Sequence, residues 1–90
     1  MSKEVSFKNR DRFVQLGIAI CTLRKMRGLS QEKLAEKAGI SRSLLSAIEA
    51  PGTAKAFSLE VFFDLADALD VDPSDLITAS VFPDRVINKQ

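Results

Sequence analysis

Residues 28–49, GLSQEKLAEKAGISRSLLSAIE, constrain the fold of this chain more than any other segment. Apolar residues recur at three- and four-residue steps on either side of Gly39, which is typical of amphipathic helices. Ser30 and Ser41 precede the two runs, and a serine there caps a helix by accepting a backbone N–H of its first turn. Gly39 can end the first helix because glycine readily adopts the left-handed conformation. The segment therefore predicts two short helices, over about 31–38 and 42–49, joined by a tight turn.

The second of these helices has an apolar face and a polar face. Helical spacing turns Leu44, Leu45 and Ile48 inward. Three polar residues remain on the outside, namely Arg42, Ser43 and Ser46. This is the layout of a DNA-binding helix-turn-helix, in which the second helix enters the major groove by its N-terminal residues.

Several short motifs in and around this segment resemble the Cro/repressor-type (XRE-like) helix-turn-helix family of bacterial and phage regulators. They cover roughly residues 16–77 and follow the family's order and spacing, which makes the set specific although each motif alone is weak. They are Leu16-Gly17, Leu23-Arg24, GLSQ at 28–31, Leu34-Ala35, AGIS at 38–41, Leu45, Ile48-Glu49 and LADALDVDPSDLI at 65–77. The resemblance implies an all-α fold, a compact five-helix bundle like the DNA-binding domain of lambda repressor.

Three regions follow from the periodicity and the resemblance. We expect residues 1–10 to form a mobile N-terminal arm, residues 11–79 to form the helix-turn-helix domain, and residues 80–90 to form an extension beyond the family's usual end. The extension is expected to be a packing or dimer element. The first helix should span about 11–26 and pack through Phe13, Leu16, Ile20 and Leu23.

The second half of the domain should contain two more helices after a loop at 50–57, where Pro51 and Gly52 oppose helix continuation. Ser58 is a cap for the fourth helix, and Asp72 followed by Pro73 is a start signal for the fifth. The side chains expected in the core are Leu59, Phe62, Phe63, Ala66 and Leu69 from the fourth helix and Leu76 and Ile77 from the fifth.

A second apolar stripe on the first helix, Val14, Ile18 and Cys21, lies nearly opposite its core face. An exposed apolar row usually marks an interface, although a tolerated scatter of exposed apolar residues is the simpler alternative. The extension carries the apolar residues that we expect to cover this stripe, from the same or a partner subunit. They are Val81, Phe82, Val86 and Ile87.

The composition is that of one soluble globular domain, since 46% of the residues are hydrophobic and 28% are charged. No apolar run approaches the length of a membrane span, and the first residues lack the apolar core of a signal peptide. We therefore expect a cytoplasmic protein without membrane contact. The single cysteine, Cys21, cannot form an internal disulfide, which agrees with a reducing compartment.

The sequence offers little for catalysis. It contains no histidine, its single cysteine cannot build a structural zinc site, and it has neither a glycine-rich phosphate loop nor a serine–histidine arrangement. The acidic pairs Glu32/Glu36 and Asp64/Asp67 fall on predicted exposed helix faces, where solvated carboxylates are ordinary. We expect no enzymatic activity, no cofactor and no bound metal.

Charge is divided unevenly along the chain. Residues 1–55 hold eleven Lys and Arg against five Asp and Glu, whereas residues 56–90 hold two against seven. The basic half contains the predicted helix-turn-helix, so attraction for phosphates is strongest where DNA would be met. The acidic half should face away from DNA.

Arg42 is the principal candidate for reading a base, because a guanidinium can donate two parallel hydrogen bonds to guanine O6 and N7. A phosphate contact or a solvated side chain is the alternative for Arg42. Ser43 and Ser46 can bond a base edge or a phosphate, or make no contact. Ala47 is small where family members often place a reading side chain, which suggests modest direct readout.

The family resemblance assigns further roles. It implies that Gln31 bonds a phosphate and supports the recognition helix. Ser41, Thr53 and Lys55 flank that helix and are expected to contact the DNA backbone, although the loop carrying the last two departs from the common basic form. The resemblance also implies an ion pair that links the first helix to the end of the third, between Arg24 and Glu49.

The function that these observations predict is sequence-specific binding of double-stranded DNA by a homodimer that regulates transcription at a near-palindromic operator. Activation would involve contact with polymerase, and repression would block it. Two alternatives stay open: an antitoxin whose other surface binds a toxin, and a protein-interaction module that has lost DNA binding. Controller proteins of restriction–modification systems are small members of the same family, and a neighbouring methyltransferase gene would indicate one.

Overall fold

The computed structural model describes residues 5–87. A 3-10 turn, Phe7–Asn9, runs directly into the first α-helix, and a second 3-10 turn, Pro83–Arg85, lies near the end of the described chain. The five α-helices are α1 Arg10–Met26, α2 Gln31–Ala38, α3 Arg42–Glu49, α4 Leu59–Ala68 and α5 Pro73–Val81. The predicted all-α, five-helix fold is confirmed. None of the helices in residues 5–87 combines the length and the hydropathy that a membrane crossing requires.

The helices begin at the polar residues that the sequence predicts. The hydroxyl groups of Ser30, Ser41 and Ser58 accept the backbone N–H three residues further on, at 3.1, 3.0 and 3.1 Å. Asp72 caps α5, and Pro73 occupies its first position, where the missing N–H costs no helical hydrogen bond. Local signals in the sequence therefore fix the starts of four of the five helices.

Three helices end with a left-handed residue that reverses the chain. Gly28 and Gly39 have φ of +72° and +71°, and Asp70 after α4 has φ of +58°. In each case the next residue donates its N–H to the carbonyl five positions earlier, which is the Schellman arrangement. These bonds run from Leu29 to Arg24, from Ile40 to Ala35 and from Val71 to Ala66. This conformation favours glycine, so Asp70, which has a Cβ, adopts it at an energetic cost.

α1 and α3 touch backbone to backbone at Gly17. A Cβ atom built on Gly17 would overlap the carbonyl oxygen of Ile48 and lie 3.7 Å from the Cα of Glu49. Glycine, which has no Cβ, is the residue that permits so close an approach. This contact sets how deeply α3 sits against α1.

Arg27, just after α1, joins the C-terminal ends of α1 and α4. Its Nε donates to the carbonyl of Leu69 at 2.9 Å, and its Nη2 donates to the carbonyl of Asp70 at 3.4 Å. A cation is favourable there because the last carbonyls of a helix carry partial negative charge. The sequence pattern does not predict this bond, since it joins residues 42 positions apart.

One core lies between the five helices, and each helix contributes to it. Leu16 and Leu44 are partly buried at its edge, and Phe13 packs edge-on against Phe57 with ring centroids 5.6 Å apart. The apolar faces predicted for α1 and α3 are therefore confirmed. The fully buried large side chains are Ile20, Leu23, Leu34, Leu45, Ile48, Leu65, Leu69 and Leu76.

Three side chains predicted to lie in the core are instead largely exposed. Leu59 is 70% exposed, and Phe63 and Ile77 are each 47% exposed. α4 packs against α2 and α5, which cover one part of its broad apolar arc, including Phe62. Phe63 and Ile77 each follow a buried residue and are turned about 100° away from it. Periodicity alone does not tell which edge of such an arc is buried.

The predicted second stripe of α1 is not one continuous surface. Cys21 borders a groove with Ser46 and Glu49 of α3, and its sulfur lies 3.6 Å from Nη2 of Arg24. Ile18 is 54% exposed and borders a different groove, which it shares with Val81 and Ile87. Ile18 and Cys21 differ by about 60° around the helix, so that α3 reaches one and not the other.

Within one chain, the C-terminal extension completes the core more than it covers that stripe. Val86 is buried in the core, and Ile87 packs against it. Val81 and Phe82 are exposed, and the guanidinium of Arg85 lies 4.3 Å from the centre of the Phe82 ring. Val81 and Ile87 border the groove at Ile18, whereas the 3-10 turn directs Val86 into the core and leaves Phe82 outside. Cover of the stripe by a partner subunit stays a prediction.

The N-terminal arm predicted for residues 1–10 is partly helical. The N–H of Asn9 donates to the carbonyl of Ser6 at 3.0 Å in the 3-10 turn, and Arg10 is the first residue of α1. Arg12 strengthens this start by donating to Oδ1 of Asn9 at 2.8 Å. The parts of the arm and extension at residues 1–4 and 88–90 lie outside the described residues.

Candidate nucleic-acid interface

The outer face of α3 forms an open groove on the protein surface. Leu45 and Ile48 anchor the helix in the core, which turns its polar face to solvent. The groove is lined by Arg42, Ser43, Ser46, Ala47 and Ala50. Four of the residues predicted to contact DNA, Ser41, Arg42, Ser43 and Ser46, are exposed and stand together on this helix and its cap.

Arg42 has a clear approach to any molecule that enters this groove. It carries the positive charge among the lining residues, which include no carboxylate to compete for its guanidinium. Its guanidinium can donate two parallel hydrogen bonds to a guanine or a phosphate, and the neighbouring serine hydroxyls can both donate and accept hydrogen bonds. Ala47 and Ala50 leave the groove open because their side chains are single methyl groups.

A buried ion pair fixes the far end of α3 to α1. Nε of Arg24 lies 2.9 Å from Oε2 of Glu49, and Nη2 lies 2.9 Å from Oε1, so the guanidinium and carboxylate pair at two points. Nη1 of Arg24 donates to the carbonyl of Leu29 at 2.8 Å, in the turn before α2. The hydrogen bond to Glu49 raises the pKa of Arg24 against the opposing effect of burial, which keeps the guanidinium charged. The ion pair implied by the family resemblance is confirmed.

Gln31 is held by the same carboxylate. Its Nε2 donates to Oε1 of Glu49 at 3.0 Å, so Glu49 accepts from both Arg24 and Gln31. A primary amide has two N–H donors, and this bond uses one of them. Gln31 is half-buried at the first position of α2 and borders a groove that also contains Ser46. The bond was not predicted from the sequence, since its partners lie 18 positions apart.

The loop after α3 brings a residue of α1 beside the predicted contacts. The N–H of Thr53 donates to the carbonyl of Ala50 at 3.2 Å, and Nη2 of Arg10 donates to the carbonyl of Gly52 at 3.3 Å. A small cleft here is lined by Val5, Arg10, Gly52, Thr53 and Ala54. Sequence reasoning placed Arg10 in the arm and did not identify it as a candidate, because no local pattern links it to a loop 42 positions away.

The predicted site residues therefore fall into neighbouring groups and not into one pocket. The α3 groove holds Arg42 and the two serines, Gln31 lies beside it at the start of α2, and Thr53 lines the separate cleft. Lys55 is exposed in the loop and lines neither the groove nor the cleft. Within residues 5–87 no cluster of acidic, histidine or cysteine side chains is arranged to hold a metal ion.

Comparison with known proteins agrees with this geometry. A family model with the description helix-turn-helix matches residues 22–76, from the second half of α1 into α5. The crystal structure of the restriction-modification controller protein C.AhdI from Aeromonas hydrophila is similar to this one, with a TM-score of 0.67 and 37% sequence identity. The similarity covers 72% of this chain and 96% of that protein. No curated protein matches the chain.

Proposed function

Since this chain belongs to the Cro/repressor-type helix-turn-helix family of DNA-binding transcriptional regulators, we propose that it recognises a specific DNA sequence through the exposed face of α3. The observation that carries the proposal is the open α3 groove, which presents one guanidinium and two hydroxyl groups on a helix anchored from behind. An α-helix about 10–12 Å across matches a major groove about 12 Å wide. The polar face of α3 can therefore meet the edges of the bases.

Each predicted contact has a role in this proposal. Arg42 reads a base, and Ser43 and Ser46 bond base edges or phosphates. Ser41 contacts a phosphate at the entrance of the groove. Gln31 bonds a phosphate with the N–H that its bond to Glu49 leaves over, and Thr53 and Lys55 contact the backbone from the loop.

We propose further that the protein acts as a homodimer on a near-palindromic operator. One helix reads only a few base pairs, whereas two helices related by a twofold axis and spaced by about 34 Å read two half-sites one turn apart. An exposed apolar area around α5 supports self-association, since the exposed Val81 lines one groove with Ile18 and another with Ile77, which are also exposed. Exposed apolar patches of this kind mark association surfaces.

Selection of bound duplexes from a random pool tests the DNA-binding proposal directly. We expect one enriched motif that consists of two inverted half-sites, bound by two copies of the protein. The Arg42→Ala protein, taken through the same selection, should lose its preference at one position of each half-site. A protein-interaction module that has lost DNA binding would enrich no sequence and bind no duplex even at low salt, where phosphate attraction is strongest.

The structural comparison favours one specific regulatory role. The controller protein C.AhdI shares 37% identity with this chain, and the match spans 96% of the controller. We propose that this chain likewise controls a restriction–modification system. The expected observations are a methyltransferase or endonuclease gene next to its own gene and binding to the DNA upstream of these genes. A neighbouring toxin gene whose product binds this protein would favour the antitoxin role instead.

A further inference from the structure

The cleft beside the loop after α3 contains a cation that the proposed contacts leave out. It is lined by Val5, Arg10, Gly52, Thr53 and Ala54 and has a volume of about 250 Å³. Nη2 of Arg10 donates to the carbonyl of Gly52, and a guanidinium has five N–H donors, so this bond occupies one of them. The described lining residues include no carboxylate, and the Thr53 hydroxyl adds another donor. The chemistry of the cleft is therefore that of an anion site.

The cleft continues the surface that α3 presents. Ala50 borders the α3 groove, and Gly52 follows two residues later, so their Cα atoms lie within about 7 Å of each other. A helix about 10–12 Å in diameter fills a major groove about 12 Å wide. The segments that flank a groove-bound α3 must then face the phosphates that border the groove.

Arg10 and Gln31 are fixed to different points of this surface. Gln31 bonds Glu49, the last residue of α3, whereas Arg10 bonds Gly52 in the loop that follows. The two residues are therefore candidates for contacts with different phosphates.

We propose that the cleft binds a backbone phosphate of the DNA, with Arg10 as its main ligand and Thr53 as its second. The inference rests on the proposed function and adds a residue of α1 to the DNA-binding surface. Arginine suits this role because its planar, forked donors match two phosphate oxygens. The bond to Gly52 holds the guanidinium against the loop before DNA arrives, which reduces the ordering cost of binding.

The test compares Arg10 with a cation elsewhere on the protein surface. Arg10→Gln removes the cation of the cleft, and Lys37→Gln is the matched control because Lys37 is exposed in the last turn of α2 and lines neither the α3 groove nor the cleft. Affinity for the selected operator is measured against salt concentration. We expect Arg10→Gln to flatten the log–log slope by roughly 0.9 for each subunit on the DNA and Lys37→Gln to leave it nearly unchanged. Arg10→Lys keeps the charge and should restore most of the slope.

A scan with neutral methylphosphonates locates the contact. Replacing one operator phosphate at a time should weaken wild-type binding at several positions. At one of these positions in each half-site, the replacement should not weaken binding of the Arg10→Gln protein. That position should differ from the phosphate to which the Gln31→Ala protein is insensitive.

Two results would overturn the phosphate assignment. One is an equal slope for Arg10→Gln and Lys37→Gln with identical methylphosphonate profiles. The other is a loss of slope that Arg10→Lys does not restore, which would limit Arg10 to holding the loop. Failure of the wild-type protein to bind any duplex at low salt would contradict the proposed function itself. Because this result concerns the wild type alone, it is distinguished from a failure of the phosphate assignment before any variant is compared.

Discussion

Gly17 of α1 and Ile48 of α3 meet through their backbones, with no space for a side chain between them. The contact lies just before Glu49, whose carboxylate binds Arg24 and Gln31. The backbone contact between the two helices and the polar cluster of Arg24, Gln31 and Glu49 therefore lie side by side at the C-terminal end of α3. We expect the position of the recognition helix α3 to depend on both.

Gly17→Ala should lower the free energy of unfolding by about 1–3 kcal/mol, the usual cost of overpacking, although alanine is the better helix former. The control is Gly52→Ala, because a Cβ at Gly52 meets nothing within 4 Å. Its effect should stay within about 0.5 kcal/mol, as for most surface substitutions. Denaturant titration measures both. A Gly17→Ala protein as stable as the wild type would show that α3 moves away without cost.

Asp70→Gly should raise the free energy of unfolding by about 1 kcal/mol, because the left-handed conformation at this position costs an L-residue about 1–2 kcal/mol. The substitution also removes a carboxylate from the C-terminal end of α4, where negative charge is unfavourable. Asp70→Asn separates the two effects, since it removes the charge and keeps a side chain. Thermal unfolding of the three proteins gives the comparison, and a destabilised glycine variant would contradict the account of strain.

Glu49→Leu should cost about 3–5 kcal/mol of stability, because it leaves the buried Arg24 guanidinium without its carboxylate. Arg24→Met strands the carboxylate and should also destabilise the protein. The double variant, with two apolar side chains, should lose less than the sum of the single losses. A double-mutant cycle in denaturant measures the coupling. If the stability losses of the two single variants add up to that of the double variant, the ion pair contributes no coupling energy.

Arg42→Ala should lose about 1–3 kcal/mol of binding free energy on the selected operator and much less on random DNA, because a base contact carries the sequence preference. Gln31→Ala should weaken binding to all sequences by similar factors, as a phosphate contact does. Titration of both variants against operator and random duplexes distinguishes these roles. Equal losses on the two duplexes for Arg42→Ala would make it a phosphate contact, and altered base preference in Gln31→Ala would refute the assignment of Gln31.

Val81→Asp should weaken self-association, because it places a charge in the exposed apolar area around α5. Leu59→Asp is the matched control, since Leu59 is exposed at the start of α4 and lies outside that area. Sedimentation of both proteins over a range of concentrations reports the dimer affinity. If Leu59→Asp separates the subunits and Val81→Asp does not, the dimer surface lies on α4.

Local signals predict the fold well because they act within one turn of the chain. Ser30, Ser41 and Ser58 mark their helices through a hydroxyl that reaches only three residues ahead, so each start is visible in the sequence. Leu59 and Phe63 were misplaced because a broad apolar arc on α4 has two edges, and only the packing of α2 and α5 decides between them.

The candidate site likewise contains some features that the sequence predicts and others that it does not. The outer face of α3 follows from helical spacing, and the Arg24–Glu49 pair follows from the family resemblance. The bond from Gln31 to Glu49 and the bond from Arg10 to Gly52 link residues 18 and 42 positions apart. Such bonds depend on how the helices cross in space, for which the sequence carries no short-range signal.

The two alanines of the α3 groove affect how readily the DNA preference of this protein can change in evolution. Ala47 and Ala50 present methyl groups to the open groove, whereas the residues that hold α3 in place, Ile48 and Glu49, are buried. A longer side chain at position 47 would extend into the groove without displacing the core. Changes of DNA preference at this position should therefore be nearly neutral for folding, which lets a duplicated copy of the gene acquire a new operator by single substitutions.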